Sequence, residues 1–465
     1  MRLFAMTVLC LAVPAAARAQ AAAGEALPTG KLIESVAVRS DASQSYALYL
    51  PGVYAPERKW PVLVCFDPLA RGRVPVARFQ AAAEEYGFVV LGSNNSRNGL
   101  GGAALSKIIN ALWADAHERL SLDDARVYAA GFSGGARLAV SFAAGCRGCV
   151  AGVFAGGAGF PSASRPTPQL PFAFFGAVGF DDFNFGEMRE LEREFEETRT
   201  PFVFETFNGG HEWPPKEVCE KALAWFRLRE MRSGQLARDD KFIDAQLASR
   251  LGDAQRRLAG RQYFDAYESY LAVERDFQGW RDVGAAAGEA VLLQNSSELK
   301  RELRSEAESA RRQAQVTTEI RTLWMKAADA DETPPPRQEA RARLEEWRKK
   351  RELPDDSAER RLARRVLFGL FVGAYETANA AARQKNYGAA AANLELARAV
   401  DPKNPNLAYE LARLYALDGQ KSRALQTLEE AVRLGFKDGV RLTSDAAFAA
   451  VSGEERFQKI VSALK

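Results

Sequence analysis

Histidine is nearly missing from this chain: 465 residues hold two, His117 and His211. That scarcity argues against a histidine-based metal site and leaves two imidazoles for any acid–base chemistry. Neither sign of charge prevails, since 63 Lys and Arg face 60 Asp and Glu for a net charge of +3. Nucleic acid and anionic membrane surfaces are therefore not expected as main partners. Long apolar runs are lacking too. The run from Leu3 to Val13 is too short to span a bilayer. With Arg2 before it and Ala17-Arg18-Ala19 after it, it reads as a secretory signal over residues 1–19. The mature protein is then expected to be periplasmic or secreted and without a membrane span; a retained anchor is the alternative. Cysteine is sparse, and Cys10 falls inside the signal. Cys146 and Cys149 are spaced to close a disulfide outside the cytoplasm or to stay as two quiet thiols. No second C-x-x-C pair and no nearby histidine supports metal, so no metal or cofactor is expected.

What the chain does contain is a balance of 47% hydrophobic and 26% charged residues, spread over a length too great for one ordinary core. From 32 to 232, strand-like and helix-like segments alternate. The run Trp60–Asp67 is nearly continuous in apolar residues, as in a strand buried on both faces. Such alternation predicts an α/β fold with a mostly parallel sheet and helices on both faces. From 235 to 465 the strand patterns stop, and Ala, Leu, Arg and Glu dominate an all-α region. Ala390, Leu394 and Ala397 recur 34 residues later as Ala424, Leu428 and Ala431, with Gly419 at the turn between paired helices. These spacings resemble tetratricopeptide repeats, most clearly over 371–440 and loosely over 247–280. The resemblance implies stacked helix pairs able to bind a protein partner; a generic Ala-rich bundle is the alternative. The charged stretch 296–365, broken by Pro334-Pro335-Pro336, is expected to form solvated helices.

The chemistry centres on Arg126-Val127-Tyr128-Ala129-Ala130-Gly131-Phe132-Ser133-Gly134-Gly135. An apolar strand ends in G-x-S-x-G and runs straight into a helix former, so Ser133 is expected on a sharp strand-to-helix turn. A serine hydroxyl needs an adjacent base, usually an imidazole oriented by a carboxylate. His117 lies within a predicted helix and is expected to be a surface residue. His211 follows a late strand through Asn208-Gly209-Gly210, where the chain can bend back over the sheet. The carboxylate should follow the strand Phe172–Phe175, which leaves Asp181 or Asp182. The spacing Gly179-x-x-Asp182 favours Asp182, with Asp181 as the alternative.

The order Ser133, Asp182, His211 on a β/α pattern resembles the α/β-hydrolase superfamily over about 32–232. Within it, Leu122-Asp123-x-x-Arg126-Val127-Tyr128, Gly131-Phe132-Ser133 and Gly210-His211-Glu212-Trp213 are similar to exported esterases of the polyhydroxybutyrate-depolymerase, feruloyl-esterase and dienelactone-hydrolase-like groups. The resemblance implies Ser133 as nucleophile, His211 as general base and then acid, and Asp182 as its orienter. It also implies two backbone oxyanion donors. Gly134 is one. The other is expected after the strand Trp60–Asp67, where Pro68 has no N–H and Leu69 is next. Because ligands of parallel sheets bind at the strands' carboxyl ends, Asn95 and Arg97 are candidate substrate contacts, or members of a turn that bonds only itself. The segment from Gly156 to Leu170 leaves no room for a lid. Small or polymeric esters are the expected substrates, with peptidase or acyltransferase chemistry, or an inactive partner-binding scaffold, as alternatives.

Overall fold

The computed structural model describes residues 27–146, 148–161, 164–326, 335–354 and 357–464. The expected signal segment lies outside them, as does Pro334. The chain divides into two compact units, with the boundary in sequence between Ala307 and Glu308.

In the first unit, β1 (Leu32–Val38) and β2 (Asp41–Tyr49) make a hairpin. There follow β3 (Trp60–Phe66), α1 (Arg73–Tyr86), β4 (Val89–Ser93), α2 (Gly102–Arg119), β5 (Leu122–Phe132), α3 (Gly134–Gly145), β6 (Gly152–Gly156), β7 (Ala173–Gly179), α4 (Phe185–Glu196), β8 (Phe202–Phe207) and α5 (Lys216–Arg232). The eight strands lie in the order β1-β2-β4-β3-β5-β6-β7-β8. The first two pairings, β1 with β2 and β2 with β4, are antiparallel; the rest are parallel.

Every residue of β3 is buried. Val62, Val64 and Phe66 enter one core, while Leu63 and Cys65 enter another on the opposite face. Helices α2, α3 and α4 supply the first core, and α1 and α5 the second. Because β3 to β8 point one way, the loops after β3, β4, β5, β7 and β8 gather on one rim. Cys146, which caps α3, is disulfide-bonded to Cys149. Cys65 and Cys219 are buried free thiols, pushed well above the usual thiol range chiefly by that burial.

The first unit does not end where the strands end. The helices α6 (Asp240–Ala259), α7 (Tyr263–Phe277), α8 (Gly284–Asn295) and the start of α9 (Ser297–Lys326) belong to it. Leu228 and Met231 of α5 share a core with Ile243, Ala254, Tyr270 and Phe277. Polar ties reinforce it: Trp225 Nε1 donates to Asp276 at 2.8 Å, Arg257 to Glu205 at 2.5 Å, and the Thr206 hydroxyl to Asp265 at 2.8 Å. A change of secondary-structure type near 232–235 therefore coincides with no gap in packing.

Glu268 is buried on α7. Burial pushes its carboxyl well above the usual range, neighbouring Glu192 and Glu196 of α4 reinforce this, and Arg275 opposes it. Burial likewise pushes Glu192 up to about 7, despite Arg189. A carboxyl raised on folding holds its proton in the folded state over a window where the unfolded chain has released it. Its contribution to stability therefore falls as pH rises from the unfolded value through the folded one. Glu268→Gln is expected to flatten the decline of Tm as pH rises above the ordinary carboxyl range, at about 2–4 °C for each kcal/mol recovered. Identical pH dependence of Tm in the two proteins would refute this.

The second unit contains the rest of α9 with α10 (Pro335–Arg351), α11 (Ala358–Arg383), α12 (Tyr387–Val400), α13 (Pro405–Leu417), α14 (Lys421–Arg433), α15 (Gly439–Ser444) and α16 (Glu455–Ala463). All six repeat positions, Ala390, Leu394, Ala397, Ala424, Leu428 and Ala431, are buried in one core. Asn404 caps α13 through its side chain, with Pro405 in the first turn where its missing N–H costs nothing. Gly419 makes the turn to α14 at φ +78°. None of the described helices is long and apolar enough to cross a membrane.

Candidate active site

The central strand β5 delivers Ser133 to the rim. Its φ of +53° lies in a region non-glycine residues rarely enter, at a cost of about 1–3 kcal/mol. The turn is held because Ser133 N–H donates to Gly156 O at 2.8 Å, at the end of β6, while Ser133 O accepts the Ala136 and Arg137 N–H groups of α3. Gly134 opens that helix, in the turn whose N–H groups have no acceptors within the helix.

Asp182 follows β7. Its N–H donates to Gly179 O at 3.0 Å, which closes the turn expected from the sequence. The side chain is fully buried. Its Oδ1 accepts the Asn184 N–H at 2.8 Å, which fixes the carboxylate plane. His211 follows β8. The two loops interlock, since Asp181 N–H donates to Gly209 O at 2.9 Å. Gly179 is required here, because a Cβ on it would lie 2.6 Å from Gly210 O.

The structure thus brings Ser133, Asp182 and His211 together. His211 Nδ1 is 2.9 Å from both Asp182 oxygens, and Nε2 is 2.8 Å from Ser133 Oγ. A carboxylate only accepts, so Nδ1 carries the proton and Nε2 is left to accept from the serine hydroxyl. The ring packs at a tilt against Phe132 and Phe183, with centroids at 4.6 and 4.5 Å, and its side chain is 8% exposed. His117 sits far from this site on α2, where Nε2 is 2.7 Å from Asp124 and Nδ1 2.9 Å from Trp113 O.

The remaining candidates fare differently. Leu69 N–H donates to Asp67 Oδ1 at 2.9 Å, so the donor expected for an oxyanion is engaged by its own loop. Asn95 is also committed elsewhere: Oδ1 accepts from Ser45 N–H at 2.8 Å, and Nδ2 donates to Ser43 O at 3.2 Å. It holds β2, the self-bonding alternative for that loop. Arg97 is exposed and its backbone bridges Leu69, which places it at the rim beside the post-β3 loop.

Asp67 carries a role that no sequence signal disclosed. Buried at the end of β3, it accepts Arg71 Nε and Nη2 at 3.0 Å each and Trp213 Nε1 at 2.8 Å. One carboxylate thereby joins the loop after β3 to the loop bearing His211.

Strand order, the turn at Ser133 and the helices on both faces define an α/β-hydrolase fold, followed by a helical repeat region. Residues 381–441 match the family model for the tetratricopeptide repeat. No curated protein matches the chain in sequence. Among solved structures it is similar to S-formylglutathione hydrolase (FrmB) from Staphylococcus aureus, at 16% identity over 44% of this chain and 99% of that one, with a TM-score of 0.36. It is also similar to the Bacillus cereus carboxylesterase, at 20% identity over 41% and 96%, with a TM-score of 0.33. A ferulic acid esterase aligns at 17% identity over 42% and 94%, with a TM-score of 0.34.

Proposed function

We propose that this protein is a serine hydrolase that cleaves carboxylic esters through an acyl-enzyme. The hydrogen-bonded chain Asp182–His211–Ser133 is the observation that carries this proposal. In the first step Ser133 Oγ attacks the ester carbonyl while its proton passes to His211 Nε2. Asp182 holds the imidazole in the tautomer that accepts it and stabilises the imidazolium formed. His211 then protonates the leaving alcohol. In the second step water gives a proton to His211 and attacks the acyl group, and the proton returns to Ser133.

The first unit presents no lid between β6 and β7 among the described residues, which favours short or freely accessible esters over interfacial substrates. Export fits the same proposal, because the Cys146–Cys149 bond suits an oxidising compartment. The repeats of the second unit are proposed to hold a protein partner, on the strength of the family match at 381–441.

A fluorophosphonate probe applied to the full chain is expected to label one residue, Ser133, with mass spectrometry locating the adduct. An unlabelled protein, or label on another serine, would remove the hydrolase proposal and leave a partner-binding scaffold.

A further inference from the structure

We infer that Asn98 supplies the second oxyanion donor through its side-chain amide, an assignment that rests on the esterase proposal above. The loop after β3, where a backbone donor is expected, has its N–H groups spoken for. Pro68 has none. Leu69 N–H goes to Asp67 Oδ1 at 2.9 Å, Ala70 N–H to Asp67 O at 3.1 Å, Arg71 N–H to Asp67 Oδ1 at 3.3 Å, and Gly72 N–H to Asn94 Oδ1 at 3.1 Å. Backbone donors already paired with a buried carboxylate are not released without loss.

A different group occupies the place beside Gly134. The carboxamide of Asn98 lies over the Gly134 Cα, where a side chain at 134 would stand. A Cβ built there would overlap Asn98 Oδ1 and lie 2.7 Å from Cγ and 2.8 Å from Nδ2. Glycine at 134 is thus what admits the amide to the first turn of α3, next to the residue whose oxygen attacks. The two ends of a carboxamide are nearly indistinguishable in shape, and the network decides which one faces a ligand. An alkoxide on that spot selects the Nδ2 end.

Asn98 is held for this task by its surroundings. Its N–H donates to Pro68 O at 2.9 Å, and the adjoining residue pairs Leu69 with Arg97 across the two loops. At the base of the same loop, Ser93 Oγ accepts the N–H groups of Asn95 at 3.3 Å and Ser96 at 3.0 Å. When the Ser133 Oγ–carbon bond forms, the carbonyl π pair moves onto the oxygen. The Gly134 N–H and an Asn98 Nδ2–H then both donate to it. Collapse returns that pair to the carbon, the ester C–O bond breaks, and His211 hands its proton to the alcohol. Such donors act mainly on the charged intermediate, so their loss appears in kcat more than in KM.

The test uses the full-length chain with Asn98→Ala and Asn98→Asp, short p-nitrophenyl esters, and wild type and Ser133→Ala as references. Thermal unfolding of both variants accompanies the kinetics, which are compared at a temperature where each protein is folded. In Asn98→Ala, kcat should fall about a hundredfold or more, with KM within about threefold of wild type. Affinity for phenylboronic acid, which forms a charged tetrahedral adduct on a serine, should fall by the same factor as kcat/KM. Asn98→Asp should be slower still, since it sets a negative charge against the oxyanion. Wild-type turnover that is lost in Ser133→Ala but kept within about threefold in Asn98→Ala overturns the role of Asn98 alone. Absence of wild-type turnover, or its survival in Ser133→Ala, brings down the esterase proposal and this assignment with it.

Discussion

Ser133→Ala is expected to lower kcat for short esters by about 10⁶-fold, leaving the small acceleration that binding and oxyanion stabilisation give alone. The size of the effect follows from the hydrogen-bond chain, in which the imidazole has one acceptor position and the Ser133 hydroxyl stands 2.8 Å from it. Asp182→Asn should come close behind, at about 10⁴-fold, because an amide stabilises the wrong tautomer. The same residue carries a stability signature. Alanine at 133 keeps the positive φ and its strain, whereas glycine adopts that conformation freely. Ser133→Gly should therefore be inactive and melt above Ser133→Ala. Steady-state kinetics and thermal unfolding on the three proteins check both statements, and a Ser133→Ala protein retaining even a tenth of the wild-type rate would be decisive against the mechanism.

The second large effect is structural. Arg189 of α4 is buried against Glu192 at 2.8 Å, Glu306 at 3.6 Å and Asp265, with the rings of Phe264 and Phe185 at 4.6 and 5.0 Å. Burial alone would raise the Asp265 carboxyl, but Arg189 and Arg257 hold it below the usual range. Arg189→Ala removes the partner of the buried carboxylates Glu192 and Asp265 on two helices, and breaking a buried pair in this way costs about 3–5 kcal/mol. Tm should fall by on the order of 10 °C, at about 2–4 °C per kcal/mol for a unit of this size. Hydrogen exchange should quicken first in α6 to α8, which this cluster fastens to the sheet. A melting curve within 2 °C of wild type, by the same scaling, would show the cluster to be incidental.

Much of the site was legible before any coordinates, for reasons that differ by residue. The strand β3 could be read because burial on two faces demands an unbroken apolar run. Ser133 could be read because a reactive turn between strand and helix needs glycines at fixed offsets. His211 stood out by scarcity, and Asp182 by the turn that Gly179 allows. What escaped were contacts between polar groups distant in sequence. Nothing local to Asp67 announces Trp213, 146 residues away. Nothing in the Asn-rich loop tells that Asn95 is pledged to β2 while Asn98 reaches Gly134. The strand-to-helix change near 233 looked like a border because composition shifts there. Arg189 and Asp265 keep the packing continuous across it, and an ion pair 76 residues apart leaves no periodic trace.

Asp67 has a consequence for anyone who would redesign this site. Its two oxygens clasp Arg71 on one side and the Trp213 indole on the other, so the loop after β3 and the loop bearing His211 form a single mechanical cassette. Transplanting either segment from another scaffold without its counterpart would leave a sealed carboxylate facing an empty socket. The two are best exchanged as a pair.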